Sequence, residues 1–343
     1  MSKDYEFNLY GQPSLYKASE RTFKVFFSEP DNGCNSETGI LLFISGYGQN
    51  PSSNVYKKMR SKFADKYNLL TVQCEYFGIE FMQTPSEISL DRDTWMKIIN
   101  SQISSIELRK ELNEKEENMN DMGLLQAIDN LTAVASILEI IKNNNLEFNK
   151  NKIIIYGYSH GAYIAHLCNL FSPNLFSTII DNSGYIYPVY LGSQINRKVS
   201  SIINKLTICT KYRYLINDIV FDKQIYDLSI LYPQVKNNCK IISLQGDQDE
   251  LYDYREKINF INSIDNGVIE LITINDVDGV KFKSNTHGLD ADFIKVFEYI
   301  NDKYELERKN DNRGFSNVEY KTKDYIYRID YSLGVPKLSY IHK

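Results

Sequence analysis

Tryptophan occurs once in this chain of 343 residues, histidine four times and cysteine five times, and no run of Lys or Arg is long. Each scarcity excludes something. Cys34, Cys74, Cys168, Cys209 and Cys239 are odd in number and form no Cys-x-x-Cys pair, so they read as reduced thiols rather than a disulfide frame or a zinc site. No metal and no organic cofactor is expected. With a net charge of −5 and its basic residues dispersed, the chain lacks the surface that neutralises a phosphate backbone, so no nucleic-acid partner is expected. The first residues, Met1 to Glu6, hold no apolar leader segment, and no later run approaches the roughly 20 apolar residues of a membrane span. The expectation is a cytoplasmic protein without a membrane partner. What is present is a 43% apolar composition, enough for the core of one large α/β domain with insertions.

The most informative stretch runs from Lys152 to Ala165. Ile153, Ile154 and Ile155 read as a strand buried on both faces, and Ala162, Ile164, Ala165 and Leu167 as a helix packing back onto it. Between them stands Gly157-Tyr158-Ser159-His160-Gly161. A serine between strand and helix sits on a tight, strained turn, where a side chain at either flanking glycine would collide with its surroundings. The hydroxyl is pushed above the sheet edge, and the helix N-terminus aims its free N–H groups at whatever the serine attacks. A purely structural Ser-Gly turn has the same letters; the flanking strand and helix favour a nucleophile elbow.

A serine hydroxyl needs a base, and imidazole is the usual one because it titrates near working pH. Of the four histidines, His160 lies inside the elbow, facing away from the hydroxyl's proton, His166 lies on the following helix, and His342 is one residue from the C-terminus. His287 remains, in a loop after a late strand with Gly288 behind it. The carboxylate that holds such a base in one tautomer is expected after the strand ending at Gln245, within Gly246-Asp247-Gln248-Asp249; Asp249 is preferred and Asp247 is the reserve. For the charge that develops on a carbonyl oxygen, the backbone N–H groups of His160 and of Tyr47 are the candidate donors, Tyr47 lying in the loop Gly46-Tyr47-Gly48.

Elsewhere, residues 5–10 and 22–27 alternate as an antiparallel edge, and residues 39–45 and 68–74 read as parallel strands joined by a helix that Ser52 or Ser53 caps. Residues 78–121 read as a polar insertion with a solvated helix, its wet face including the acids of 111–117. Residues 124–141 repeat as an amphipathic helix. Residues 185–238 read as a lid over the C-terminal edge of the sheet, its tyrosines, foremost Tyr185, Tyr187 and Tyr190 but also Tyr212, Tyr214, Tyr226 and Tyr232, offering a substrate-stacking surface. After a charged, linker-like stretch at 302–314, residues 320–341 read as a β-hairpin that extends the sheet, pairs with the N-terminal strands or contacts a second copy in a homo-oligomer. The division is thus a domain over 1–301 and an extension over 302–343.

Gly157-Tyr158-Ser159-His160-Gly161, Gly246-x-x-Asp249 and Asn285-Thr286-His287-Gly288 resemble the elbow, acid and histidine loops of α/β-hydrolases, particularly the esterase-like and prolyl-oligopeptidase-like branches. The resemblance covers roughly residues 20–300. It implies a mostly parallel central sheet with helices on both faces. The glycine loop departs from the His-Gly start of many such enzymes, since it begins Ser45-Gly46. In its Tyr-rich lid and tail the chain also resembles a bacterial branch of this fold associated with flagellar or surface-glycan modification. The implied activity is that of a serine hydrolase on a carbohydrate or small acyl ester. The alternatives are a sugar O-acyltransferase with the same three residues and a catalytically silent scaffold that binds glycans or proteins.

Overall fold

The run Gly39–Ile44 sends its side chains alternately into two apolar layers, Ile40, Leu42 and Ile44 into one and Leu41 and Phe43 into the other. A strand buried on both faces needs cover on each. The computed structural model of the protein, which describes residues 2–83, 92–101, 104–192, 197–203 and 206–343, supplies it. The chain opens with β1 (Lys3–Gly11), β2 (Arg21–Glu29) and β3 (Gly39–Ile44), then α1 (Asn54–Tyr67) and β4 (Leu69–Cys74). Ser53 caps α1 by accepting the Tyr56 N–H, and Asn68 ends it in the left-handed region at φ 51°. A first insertion carries α2 (Arg92–Asn100) and β5 (Ser105–Glu111); α3 (Leu124–Asn143), β6 (Ile153–Tyr158), α4 (His160–Phe171) and β7 (Thr178–Asn182) follow. The second insertion holds β8 (Arg197–Ile203), β9 (Leu206–Arg213), α5 (Ile216–Ile219) and α6 (Leu228–Leu231). The chain closes with β10 (Lys240–Gly246), α7 (Tyr254–Asn262), β11 (Gly267–Ile272), α8 (Phe293–Lys303) and three tail strands, β12 (Val318–Lys321), β13 (Tyr325–Asp330) and β14 (Lys337–His342).

Eight strands form one sheet in the order β1-β2-β4-β3-β6-β7-β10-β11. β2 is antiparallel to both its neighbours, and the six strands from β4 to β11 run parallel. Helices α1 and α8 cover one face, where Phe63 meets Phe297 edge-on at 5.1 Å. Helices α3, α4 and α7 cover the other. The expected amphipathic character of α3 is not found. Every residue from Leu124 to Ala135 is buried, because the edge strands and the tail cover the side that would otherwise meet water. The helix is also long and apolar enough to cross a membrane by length and composition, against the expectation that no run approaches that length; 78% of its most apolar 18-residue stretch is buried inside the fold, as in a core helix.

The two insertions meet. β5 pairs in parallel with β9, which pairs antiparallel with β8, so segments far apart in sequence build one three-stranded sheet. Parts of both insertions, residues 84–91, 102–103, 193–196 and 204–205, lie outside the described residues. Of the acids of 111–117, expected on the wet face of a helix, Glu111 ends strand β5 and the others follow it, where residues 115 and 118 bridge in a turn. Glu114 has a different task from solvation: its carboxylate accepts the backbone N–H of Asn120 at 2.8 Å and of Leu215 at 2.6 Å, fastening the first insertion to the second.

The tail forms its own sheet, β12-β13-β14, rather than extending the large one or pairing with β1 or β2. The expected hairpin is β13 with β14, and β12 adds a third strand. It closes the bottom of the elbow helix: the hydroxyls of Tyr320 and Tyr331 donate to the carbonyls of Leu170 and Phe171, two of the acceptors that the end of α4 leaves without helical partners. The stretch expected to be a linker is also pinned, since Leu306 O accepts from Thr178 and Arg308 N donates to Asn151 O.

Candidate active site

Ser159 occupies the turn between β6 and α4 with φ 54° and ψ −119°, backbone angles that a residue with a side chain seldom adopts. Its surroundings impose them. The Ser159 N–H donates to Asn182 O at 2.8 Å, its carbonyl starts α4 by accepting from Ala162 N at 3.0 Å, and the two flanking glycines let strand and helix approach. A Cβ at Gly157 would strike the Ala162 backbone, and one at Gly161 would strike the carbonyls of Ile44 and Ser45. Because those obstacles are backbone and cannot rotate away, Gly161→Ala is expected to destabilise the protein by about 1–3 kcal/mol or more. A thermal or urea melt of the variant against the parent checks this, and an unchanged midpoint would contradict the packing described.

Ser159 Oγ lies 2.7 Å from His287 Nε2. His287 Nδ1 in turn lies 2.9 Å from Asp249 Oδ2, so the structure brings these three side chains into one line. Asp249 is positioned by more than the histidine, since its oxygens also accept from Gln245 Nε2 at 2.7 Å and from the Leu251 N–H at 2.9 Å. Burial works to raise the Asp249 carboxyl, but the His287 hydrogen bond and charge together with these donors outweigh it and hold the group below the usual carboxylate range. The acid is therefore ionised, and as an acceptor only it fixes the proton on Nδ1 and leaves Nε2 to accept. Asp247 does something else: it accepts from Asn285 Nδ2 at 2.7 Å and steadies the histidine loop without touching His287. That loop requires Gly288 at φ 76°, where a Cβ would strike the ring of Tyr158.

Tyr47 and His160 are held to one another. Their rings meet edge-on at 5.4 Å, the Tyr47 hydroxyl accepts from Asn120 Nδ2 at 2.8 Å, Asn120 Oδ1 accepts from Gln126 Nε2 at 2.8 Å, and Gln126 Oε1 meets His160 Nε2 at 2.7 Å. Burial pushes the His160 imidazole down to about 3, so it is a neutral structural ring. Among the described residues the backbone N–H groups of Tyr47 and His160 have no protein acceptor in the turns that carry them. Nothing in the sequence marked Asn120 or Gln126. Gln126 lies on α3, a helix otherwise read from its apolar residues.

The lid tyrosines are mostly not a ligand surface. Tyr185, Tyr212, Tyr214, Tyr226 and Tyr232 are buried, and the proposed stacking role fails for them because they pack the second insertion onto the body. Tyr232 reaches His166 Nδ1 at 2.7 Å, and Tyr185 lies against Ser159 itself, with its hydroxyl 2.9 Å from Oγ. Tyr190 is half-buried, edge-on to Tyr47 at 5.0 Å. Tyr187 lines a cavity of about 680 Å³ with Asp227, Tyr252, Glu256 and Asn259, which none of Ser159, Asp249 and His287 lines. Among the described residues no three His, Cys, Asp or Glu side chains stand together as metal ligands.

Residues 96–332 match the family described as "Protein of unknown function (DUF2920)", a span that takes in the elbow, the acid and histidine loops and most of the tail sheet. The chain belongs to this family. No curated protein matches it. Solved structures do. An acylaminoacyl peptidase in complex with Z-Gly-Gly-Phe-chloromethyl ketone is 15% identical with a TM-score of 0.52, and the Pyrococcus horikoshii acylaminoacyl peptidase is 13% identical with the same score. Each likeness covers 92% of this chain but only 43% of the peptidase, so the chain spans less than half their length. Est1E from Butyrivibrio proteoclasticus, with ferulic acid bound, is 14% identical at a TM-score of 0.48, over 82% of this chain and 94% of that one. The two peptidase likenesses show the α/β-hydrolase fold; nothing in the comparisons bears on flagella or surface glycans.

Proposed function

We propose that the protein is a serine hydrolase that cleaves a carboxylic ester through an acyl-enzyme on Ser159. The observation that carries this reading is the unbroken chain of contacts from Ser159 Oγ through both nitrogens of His287 to an ionised Asp249, on a serine whose backbone is strained. In the first half-reaction Oγ bonds to the ester carbon while its proton passes to His287 Nε2, and the negative oxygen that forms is met by the N–H groups of Tyr47 and His160. The intermediate collapses, the alcohol leaves with the proton from His287, and a water activated by the same imidazole releases the acid and restores the serine.

Acyl transfer to a sugar hydroxyl uses the same groups. What favours it as the second reading is that Ser159 is only 6% exposed, with Tyr185 of the second insertion against it, where an acceptor held in place competes with scarce water.

The test is labelling with a fluorophosphonate followed by peptide mapping. A stoichiometric adduct on Ser159 is expected; its absence while the protein is folded would leave a silent scaffold. Mass spectrometry of the products of an acyl ester in the presence of sugars then separates hydrolysis from transfer.

A further inference from the structure

Ser159 Oγ has a second close neighbour, and the hydrogen count at the site decides what that neighbour does. The Tyr185 hydroxyl stands 2.9 Å from Oγ, and its ring lies parallel to that of His287, 9° apart with centroids at 5.8 Å. Serine has one proton to give. With Asp249 accepting from Nδ1, the neutral imidazole accepts at Nε2, so the serine proton points to His287 and the phenol must be the donor toward Oγ. Burial raises the Tyr185 phenol and keeps it protonated, and among the described residues Ser159 Oγ is its only partner.

We propose that Tyr185 is a catalytic residue whose phenol donates a hydrogen bond to Ser159 Oγ and stabilises the charge that this oxygen carries as it attacks and again as it departs. The inference rests on the hydrolase reading. In acylation the Oγ–C bond forms, the ester C–O bond breaks and the serine proton leaves by way of His287. In deacylation a water oxygen bonds to carbon, the Oγ–C bond breaks and His287 returns a proton to Oγ. Tyr185 keeps its own proton throughout. A hydrogen bond to an oxygen that becomes anionic strengthens as the charge grows, so it lowers the barrier more than it lowers the ground state.

The fold holds this phenol by unusual means. The turn between β7 and Tyr185 places Ser183 at φ 58° and ties its Oγ to the Gly288 N–H at 3.1 Å, next to the base. Gly184 N donates to Asp181 Oδ1 at 2.7 Å, and Gly184 O accepts from Lys257 Nζ at 2.8 Å. Lys257 also pairs with Asp181 Oδ2 at 2.6 Å, and both side chains are fully buried. Burying a charge pair is costly to hydration, and here the pair grips both backbone polar groups of Gly184, the residue that precedes Tyr185. Asp181 and Lys257 are positioning residues.

A buried phenol needs some partner, and a merely structural bond would serve that need equally well. The two roles differ in their dependence on phenol acidity. Tyr185→Phe keeps the ring and its stacking. It is expected to slow fluorophosphonate labelling of Ser159 and turnover of a small activated ester each by about ten- to a hundredfold, with KM and the melting temperature little changed. Full-length protein carrying 3-fluorotyrosine or 3,5-difluorotyrosine at position 185, assayed at neutral pH, is expected to label faster than Tyr185→Phe and faster as the phenol becomes more acidic. These variants keep the hydroxyl and carry the test even where Tyr185→Phe folds poorly. Labelling of Tyr185→Phe at the parental rate, or rates indifferent to fluorination, overturns the proposal while leaving the hydrolase reading in place. A parent protein that takes no probe at Ser159 overturns both.

Discussion

Ser159→Ala and His287→Ala are each expected to lower ester turnover by on the order of 10⁴-fold or more, with the fold retained. The magnitude follows from what the two side chains do together. Without Oγ no acyl-enzyme forms, and without the imidazole the hydroxyl at 2.7 Å has nowhere to send its proton. Because they act as one unit, the double variant is expected to be scarcely worse than either single one. The fold persists because Ala at position 159 meets the same backbone constraint that Ser meets, and because His287, with its side chain 18% exposed, leaves its space to solvent. The cost of Ser159→Ala is a buried Tyr185 hydroxyl left without its partner, about 1–3 kcal/mol. Steady-state rates alongside a melt check both statements. Near-parental turnover in either variant would dispose of the acyl-enzyme mechanism.

The parts of this site that were legible in the sequence share one property: local pattern determines them. A triple isoleucine running into Gly-x-Ser-x-Gly and an apolar helix specifies strand, turn and helix within one short segment, and the structure has β6, Ser159 and α4 there. The acid after β10 and the histidine after β11 follow the same logic, because in a parallel sheet the loops after successive strands open at one edge. What was not legible depends on pairings at long range. The alternation of Leu206, Ile208, Thr210 and Tyr212, buried while the residues between them are less so, was present in the sequence as a strand signal. Nothing local could say that its partner is the charge-rich Ser105–Glu111. The role of the lid tyrosines was misread for a similar reason. A tyrosine-rich segment looks like a ligand surface when its only visible property is composition, whereas Tyr226 and Tyr232 are buried and serve the interior, Tyr226 through its carbonyl to Tyr163 on α4 and Tyr232 through its hydroxyl to His166. Asp181 and Lys257 were invisible too, since a charged pair reads as two surface residues until the fold buries it.

Asp249→Asn and Asp247→Asn, compared side by side, are expected to differ by about three orders of magnitude or more in turnover. An amide at position 249 must turn its NH2 toward one set of donors, either His287 Nδ1 and Gln245 Nε2 or the N–H groups of Leu251 and Tyr252, and each orientation sets donor against donor. When the NH2 faces the imidazole, Nδ1 becomes the acceptor and the proton moves to Nε2, which can then no longer take the proton of Ser159. A wrong tautomer in otherwise intact geometry lowers the rate by roughly 10⁴-fold. At position 247 the amide keeps an oxygen where the carboxylate had one, so Asn285 Nδ2 retains its acceptor and the histidine loop its support. The cost there is the difference between a charged and a neutral acceptor, about 1 kcal/mol, or less than tenfold. A crippled Asp247→Asn beside an active Asp249→Asn would mean that the loop rearranges before catalysis and that Asp247 orients the base in the working enzyme. Equal and small effects would mean that no carboxylate fixes the tautomer, and the proton transfer assigned to His287 would then lack its basis.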